Sequence, residues 1–168
     1  MANSSLLRRS GVKATMVRLG LTGFQRARRL VWFFTRPVTF GVRALPLTPD
    51  GDVVMVRHSY TTGWHLPGGG RKRGEDPVAA MLRELREEIG MTGHGDVEHA
   101  GDFRHRPNYK RDTVSFFIVR DVRFAPRLSL EIEAIAAFAP DALPDDAHPA
   151  ARRRVEDWQQ GVSSAPHW

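Results

Sequence analysis

The sequence contains no cysteine. That excludes disulfides, thiolate-bound zinc, iron–sulfur clusters and a thiol nucleophile, and it is compatible with a reducing compartment. No uncharged run approaches the roughly 20 apolar residues a membrane-spanning helix requires, and the short stretch from Leu30 to Phe34 falls far below it. The first 36 residues lack any acidic side chain, yet they carry eight basic ones: Arg8, Arg9, Lys13, Arg18, Arg26, Arg28, Arg29 and Arg36. Of 25 Lys and Arg and 19 Asp and Glu in all, residues 37–168 hold 17 and 19, a net of −2. The formal charge of +6 therefore belongs to an N-terminal arm and not to the body. The rest is ordinary for a globular protein. With 168 residues, 41% hydrophobic and 26% charged, the chain fits one domain with a buried core. It shows no internal repeat and no linker marking a second domain.

The arm has a helical period: Val12, Met16, Leu19, Gly23, Ala27, Leu30 and Phe34 recur at intervals of three and four. Gly11, Gly20 and Gly23 each weaken such a helix by up to about 1 kcal/mol. Four readings stand open. Residues 1–34 form a helix packed on the domain with a solvated basic face, a basic amphipathic segment on an anionic membrane surface, a cleaved organelle-targeting sequence, or a nucleic-acid contact. The last lacks any reading motif, so specific nucleic-acid binding is not expected. The expected location is cytoplasmic, peripheral on a membrane under the second reading and organellar under the third.

Past Pro37, which ends the helical pattern, VTFGVRALPL and DVVMVRHSY read as two strands joined at the turn signal Asp50-Gly51. Trp64-His65-Leu66 is a short extended piece, and Pro67 to Gly70 form a loop of unusual backbone freedom. Asp76 is a good N-cap and Pro77 a good first helical residue. Gly90 is a natural left-handed stop. Between them Val78, Leu82, Leu85 and Ile89 set out a buried stripe. Further strands are expected over 97–105 and 113–120, with mixed signals over 128–138, a turn at 141–144 and a helix from Pro149 to Trp158.

The helix is where the chemistry concentrates. Arg83, Glu84, Glu87 and Glu88 crowd into six residues. Glu84 lies three residues before Glu87 and four before Glu88, so the carboxylates share a face and repel by a few tenths of a kcal/mol per pair. Clustered hard oxygens of this kind are what Mg²⁺ or Mn²⁺ takes as ligands, above all when shared with substrate phosphates.

Gly69, five residues, Glu75, seven residues, Arg83-Glu84-Leu85, one residue, Glu87-Glu88, one residue, Gly90-Met91 resembles the signature of the Nudix hydrolases at every defined position. The preceding GWHLPGG and hairpin also look like that family's run-in, and residues from about Val38 to Pro144 fit its layout. The resemblance implies an α/β fold: a Nudix-like α/β/α sandwich with a mixed sheet, here over residues 37–160, preceded by the arm (1–36) and followed by a polar tail (161–168). It implies a metal-dependent pyrophosphohydrolase cleaving a phosphoanhydride in a nucleoside diphosphate linked to another moiety. Glu84, Glu87 and Glu88 would be metal ligands for Mg²⁺ or Mn²⁺, and Glu87 or Glu88 would serve as base. Arg83 would orient a carboxylate, Glu75 would support the metal or loop, and Gly69 and Gly90 would set backbone shape. Glu131, ahead of the aromatic Phe138, is the candidate for a further catalytic carboxylate, with Glu133 behind it.

Outside the signature, Arg57 is a candidate phosphate clamp or a surface arginine. Trp64 is a candidate base-stacking ring or a core residue. Pro107 and Tyr109 lie 16 and 18 residues after Met91, where some members cleaving ADP-ribose and dinucleoside polyphosphates respectively carry those residues, so the substrate stays open between them. Family members often dimerise. The complete set of glutamates favours an enzyme over the alternative, a Nudix-fold module that senses a nucleotide without turnover.

Overall fold

The computed structural model describes residues 7–8, 38–105, 111–126 and 129–162. The helical period of the arm, and the basic loop bearing Pro107 and Tyr109, lie outside them. The elements in order are β1 (Leu7–Arg8), β2 (Val38–Pro46), β3 (Val53–His58), α1 (Pro77–Ile89), β4 (Met91–Gly93), β5 (Val97–His105), β6 (Arg111–Val119), β7 (Arg123–Phe124), β8 (Ile132–Phe138) and α2 (Pro149–Gln159).

Strand β2 runs parallel to β6, which pairs antiparallel with β5. Strand β8 pairs antiparallel with β3 on one edge and β1 on the other. A small ribbon, β4 with β7, closes one end. The pairing is therefore mixed, and the strands are buried on both faces. Val54 and Val56 of β3 pack with Met81, Leu85 and Ile89 of α1, whereas Val53 and Met55 pack with Ala151 and Val155 of α2. Phe117 and Val119 of β6 join the first group, and Phe116 and Ile118 the second. The two-residue period of the strand sends alternate side chains to opposite layers. The result is the α/β/α sandwich expected.

The turn at Asp50-Gly51 forms, with the Gly51 amide donating to the Thr48 carbonyl at 2.9 Å. The hairpin expected around it does not. Beyond the single bridge from Leu47 to Val53, β2 and β3 part into different sheets. The reason is the segment 64–71, which takes up the edges both strands would have offered each other. Val56 and His65 exchange backbone hydrogen bonds of 2.9 and 2.8 Å. Ala44 then donates to Pro67 (3.0 Å), Val42 donates to Gly69 (2.9 Å) and Arg71 donates to Phe40 (2.9 Å). One stretch of chain thus stitches the two sheets into a single layer.

Helix α1 starts and stops where its sequence says. The Asp76 carboxylate accepts the Ala79 amide at 2.9 Å, and Gly90 turns left-handed with φ 69°. A β-carbon on Gly90 would collide with the Ala125 carbonyl. The buried stripe, however, is rotated from the one expected. Ala80, Met81, Leu85 and Ile89 are fully buried, Leu82 is partly so, and Val78 is exposed. Leu85 and Ile89 belong to either stripe, so periodicity could not choose between them. The sheet surface does, and it turns the helix toward its carboxylate edge. Burying Met81, Leu85 and Ile89 contributes about 1.5–3 kcal/mol each. Among the described residues no helix is long and apolar enough to cross a membrane.

Candidate active site

The rotation of α1 fixes the site. Glu84 and Glu88 border the Met81–Leu85–Ile89 stripe, and their side chains keep only 12% and 14% exposure, against 60% for Glu87. Two carboxylates are thereby drawn down between helix and loop, while the third stays in solvent.

Arg83 holds the group together. Its Nε donates to Glu75 Oε1 at 2.9 Å, and its Nη2 donates to Glu75 Oε2 at 3.1 Å. Nη1 reaches Glu84 Oε1 at 2.7 Å and Glu87 Oε2 at 3.4 Å, and Nη2 also donates to the Gly70 carbonyl at 3.1 Å. The planar fork suits paired carboxylate oxygens, and its hydrogen bonds are charge-assisted. Glu75 is held down to a pKa of about 2, first by its hydrogen bond from Arg83 and then by the Lys72 amide. Glu75 and then Glu84, by their hydrogen bonds, raise the guanidinium above its ordinary range.

Glycine at position 69 has a plain cause. A β-carbon there would lie 2.6 Å from the Glu84 carboxylate. A side chain there would push the Glu84 carboxylate off Arg83, and a bare backbone leaves it in place.

Glu88 is the most strained electrostatically. Its Oε2 accepts the Gly68 amide at 2.8 Å, and its Oε1 lies 3.9 Å from His58 Nε2. Burial pushes its pKa up to about 7, Arg43 and the Gly68 amide pull it down, and the charges of Glu84 and Glu131 push it up. His58 is kept neutral, with a pKa lowered to about 3 by burial and then by Arg43 and His65. Its Nδ1 is buried without a hydrogen-bond partner.

Glu131, in the turn before β8, has an exposed side chain. Its backbone carbonyl accepts the Ser59 amide at 2.8 Å, and its charge reaches Glu88. Glu133 is half-buried within β8. Arg57 and Trp64 are brought together elsewhere. Arg57 pairs with Asp146 and lies over the Trp64 ring, 5.0 Å from its centroid. Trp64 is buried against Phe138 in the core under α2, the layer opposite α1. Trp64 therefore packs as a core residue, and Arg57, read as a phosphate clamp or a surface arginine, is a half-buried residue ion-paired to Asp146.

Two neighbours of Glu88 escaped the sequence reading: Arg43, which donates to the Gly68 carbonyl, and His58. A signal existed for the first. Arg43 is the one charge inside the apolar run VTFGVRALPL, and a buried strand keeps such a charge only with a partner. Among the described residues no three His, Asp or Glu side chains gather as a metal site in this arrangement. Glu84 and Glu87 are turned to Arg83, which acts as the local cation.

The NUDIX domain family model matches residues 37–159. An RNA pyrophosphohydrolase from Vibrio vulnificus is 42% identical over 60 residues, covering 36% of this chain and 34% of that protein. One from Brucella ovis is 52% identical over 40 residues, covering 24% of this chain and 22% of that protein. The chain thus spans about a third or less of the length of these curated relatives. Among solved structures, a MutT NUDIX hydrolase from Burkholderia pseudomallei superposes with a TM-score of 0.61 at 24% identity, covering 71% of this chain and 96% of that one. A NUDIX hydrolase from Nitrosomonas europaea gives 0.60 at 24% identity, covering 74% and 90%. At these identities the two structures speak for the fold alone.

Proposed function

Because the chain belongs to the NUDIX domain family, we propose that it hydrolyses a pyrophosphate bond in a nucleoside phosphate derivative, with residues 37–160 as the catalytic unit. The observation that carries this reading is the pair of nearly buried carboxylates, Glu84 and Glu88, gathered at one loop–helix junction with too few cations to neutralise them. Such a junction fits a divalent ion. Hard oxygens are the donors Mg²⁺ and Mn²⁺ prefer, and burial, then the charges of Glu84 and Glu131, already make an ionised Glu88 costly without one. Glu84, Glu87 and Glu88 would hold the metal, which when bound supplies charge neutralisation for the phosphates and a more acidic water.

The chain's own residues do the rest. Arg83 fixes Glu84 and Glu87 in orientation, so that neither has to be ordered when substrate arrives. Gly68 occupies one oxygen of Glu88 and leaves Oε1 to hold the metal or, where Glu88 is the base, to take a proton from the attacking water. Arg43 and Gly68 keep that carboxylate at the loop. Glu87, exposed in the same cluster, and Glu131, exposed and within electrostatic reach of Glu88, are the other candidate bases.

The RNA pyrophosphohydrolases among the relatives bring a triphosphorylated RNA 5′ end into the set of substrates worth testing. The panel is ADP-ribose, a dinucleoside polyphosphate, a nucleotide sugar, an oxidised nucleoside triphosphate and a 5′-triphosphorylated oligonucleotide, each with Mg²⁺ or Mn²⁺ and each with chelator. Product chromatography is expected to reveal metal-dependent cleavage of at least one member. If metal and ligand both bind by calorimetry and nothing is cleaved, the protein is a nucleotide sensor on a Nudix fold.

A further inference from the structure

Phe40 is the one exposed phenylalanine, tyrosine or tryptophan among the described residues, with 46% of its surface free. It stands at a particular place. Its backbone carbonyl accepts the Arg71 amide at 2.9 Å, Gly41 bridges to Gly70, and the Gly70 carbonyl accepts Arg83 Nη2 at 3.1 Å. One residue therefore separates the Phe40–Arg71 pair from the guanidinium that orders the carboxylates. Val42 and Ala44 pack into the core beneath α1, so the two-residue period of β2 brings the Phe40 ring out on that same face of the layer. The Arg71 guanidinium lies 4.8 Å from the ring centroid, which holds the ring and places a fixed positive charge beside it.

We propose that Phe40 and Arg71 form a stacking platform for the nucleobase of the substrate, beside the loop that would receive its phosphates. This rests on the reading of the site as a pyrophosphohydrolase. A nucleobase is the part of a nucleoside phosphate with a flat π-face, and an exposed aromatic ring with a guanidinium on it offers the matching surface whatever the base. Arg71 serves twice, as a lid on the ring and as a cation near a polyanion. Trp64 cannot supply the platform, being buried under α2.

The variant to make is Phe40→Leu, which keeps apolar volume and removes the ring, with Phe40→Ala beside it. Steady-state kinetics use GTP, the dinucleotide pppGpA and inorganic tripolyphosphate, which has no base. Proton NMR records the base signals of AMP and GMP with each protein. Phe40→Leu is expected to raise KM for GTP or pppGpA about tenfold, with kcat within about twofold and tripolyphosphate unaffected. Wild-type protein should move the base protons upfield, and the variant should not. A loss seen on both substrates assigns the platform to a mononucleotide base, and a loss on pppGpA alone assigns it to the second base of an RNA end. Unchanged KM, or an equal loss on tripolyphosphate, overturns the proposal, because Phe40 would then be inert or merely shape the loop. Absent turnover of these substrates and of every member of the panel above, together with a Phe40-dependent shift of the AMP or GMP signals, leaves the platform standing and removes the hydrolase. Absent turnover and absent shift remove both.

Discussion

Helices α1 and α2 cover opposite faces of the same strands, yet the charges they bury are of opposite kinds and are treated oppositely. Under α2 the enclosed charges, buried Arg154 and half-buried Arg57, are cations, and each lies on an aromatic face. Arg154 is buried 4.4 Å from the Phe103 centroid and 3.4 Å from Asp157, and Arg57 lies on Trp64 while bonding Asp146. Under α1 the buried charges are carboxylates, and they outnumber their partners. Arg83 serves Glu75, Glu84 and Glu87 at once, and Glu88 is left to a backbone amide and the more distant Arg43. A layer whose cations each have a carboxylate beside them is balanced in charge. A layer left short of positive charge is waiting for some.

The sharpest way to break this contrast is to remove one carboxylate and ask which property moves. Glu87→Gln, on the exposed member of the group, is expected to lower kcat by about 10²–10⁴-fold in the panel assay while the melting temperature stays within a few degrees. A large loss of stability with intact turnover would make the α1 edge structural after all. The converse change on the other face is Trp64→Ala. It deletes a buried ring packed edge-on to Phe138 at 4.9 Å and should cost about 3–5 kcal/mol in urea unfolding, with kcat of the remaining folded protein preserved.

A subtler test uses pH. The folded-state pKa of Glu88 is raised from the ordinary 4.5 to about 7, so the fold favours its protonated form. Metal-free protein therefore has this group's full stability below about pH 4.5, loses it as pH rises through 7, and stays level above that. His58 works in the other direction. Its stability is present above 6.5 and is lost as pH falls toward about 3. Comparing Glu88→Gln with the parent isolates the carboxylate. With chelator present, the variant should be more stable at pH 8 by on the order of 2–3 kcal/mol and no different near pH 4.5. Equal stability at pH 8 would mean that Glu88 carries no electrostatic burden in the metal-free fold.

The parts of the molecule legible from sequence are those whose causes are local. Asp76, Pro77 and Gly90 bound α1 because capping and left-handed geometry are settled within a turn of chain. The carboxylates and Arg83 fall together for the same reason. What the sequence hid depends on partners far along it. The parallel pairing of β2 with β6 joins residues some 70 apart, and the Asp50-Gly51 turn gave every sign of a hairpin whose strands then separate. The choice between Val78 and Met81 for the buried stripe belongs to the sheet surface. Arg43 and His58 meet Glu88 only once the glycine loop has been laid along β2.

That loop sets a rule for how the protein can vary. From His65 to Arg71 the chain bonds at alternate residues, first to Val56 of β3 and then to Ala44, Val42 and Phe40 of β2, so its length is dictated by the gap between two sheets. An inserted or deleted residue there would shift every pairing downstream and lift the loop off Glu84 and Glu88 together. Among the described residues the hydrogen bonds of the Asp50-Gly51 turn stay within Thr48 to Asp52, so this connection can lengthen. Descendants of this chain can therefore diverge in length at one connection between the sheets and are held to a fixed length at the other.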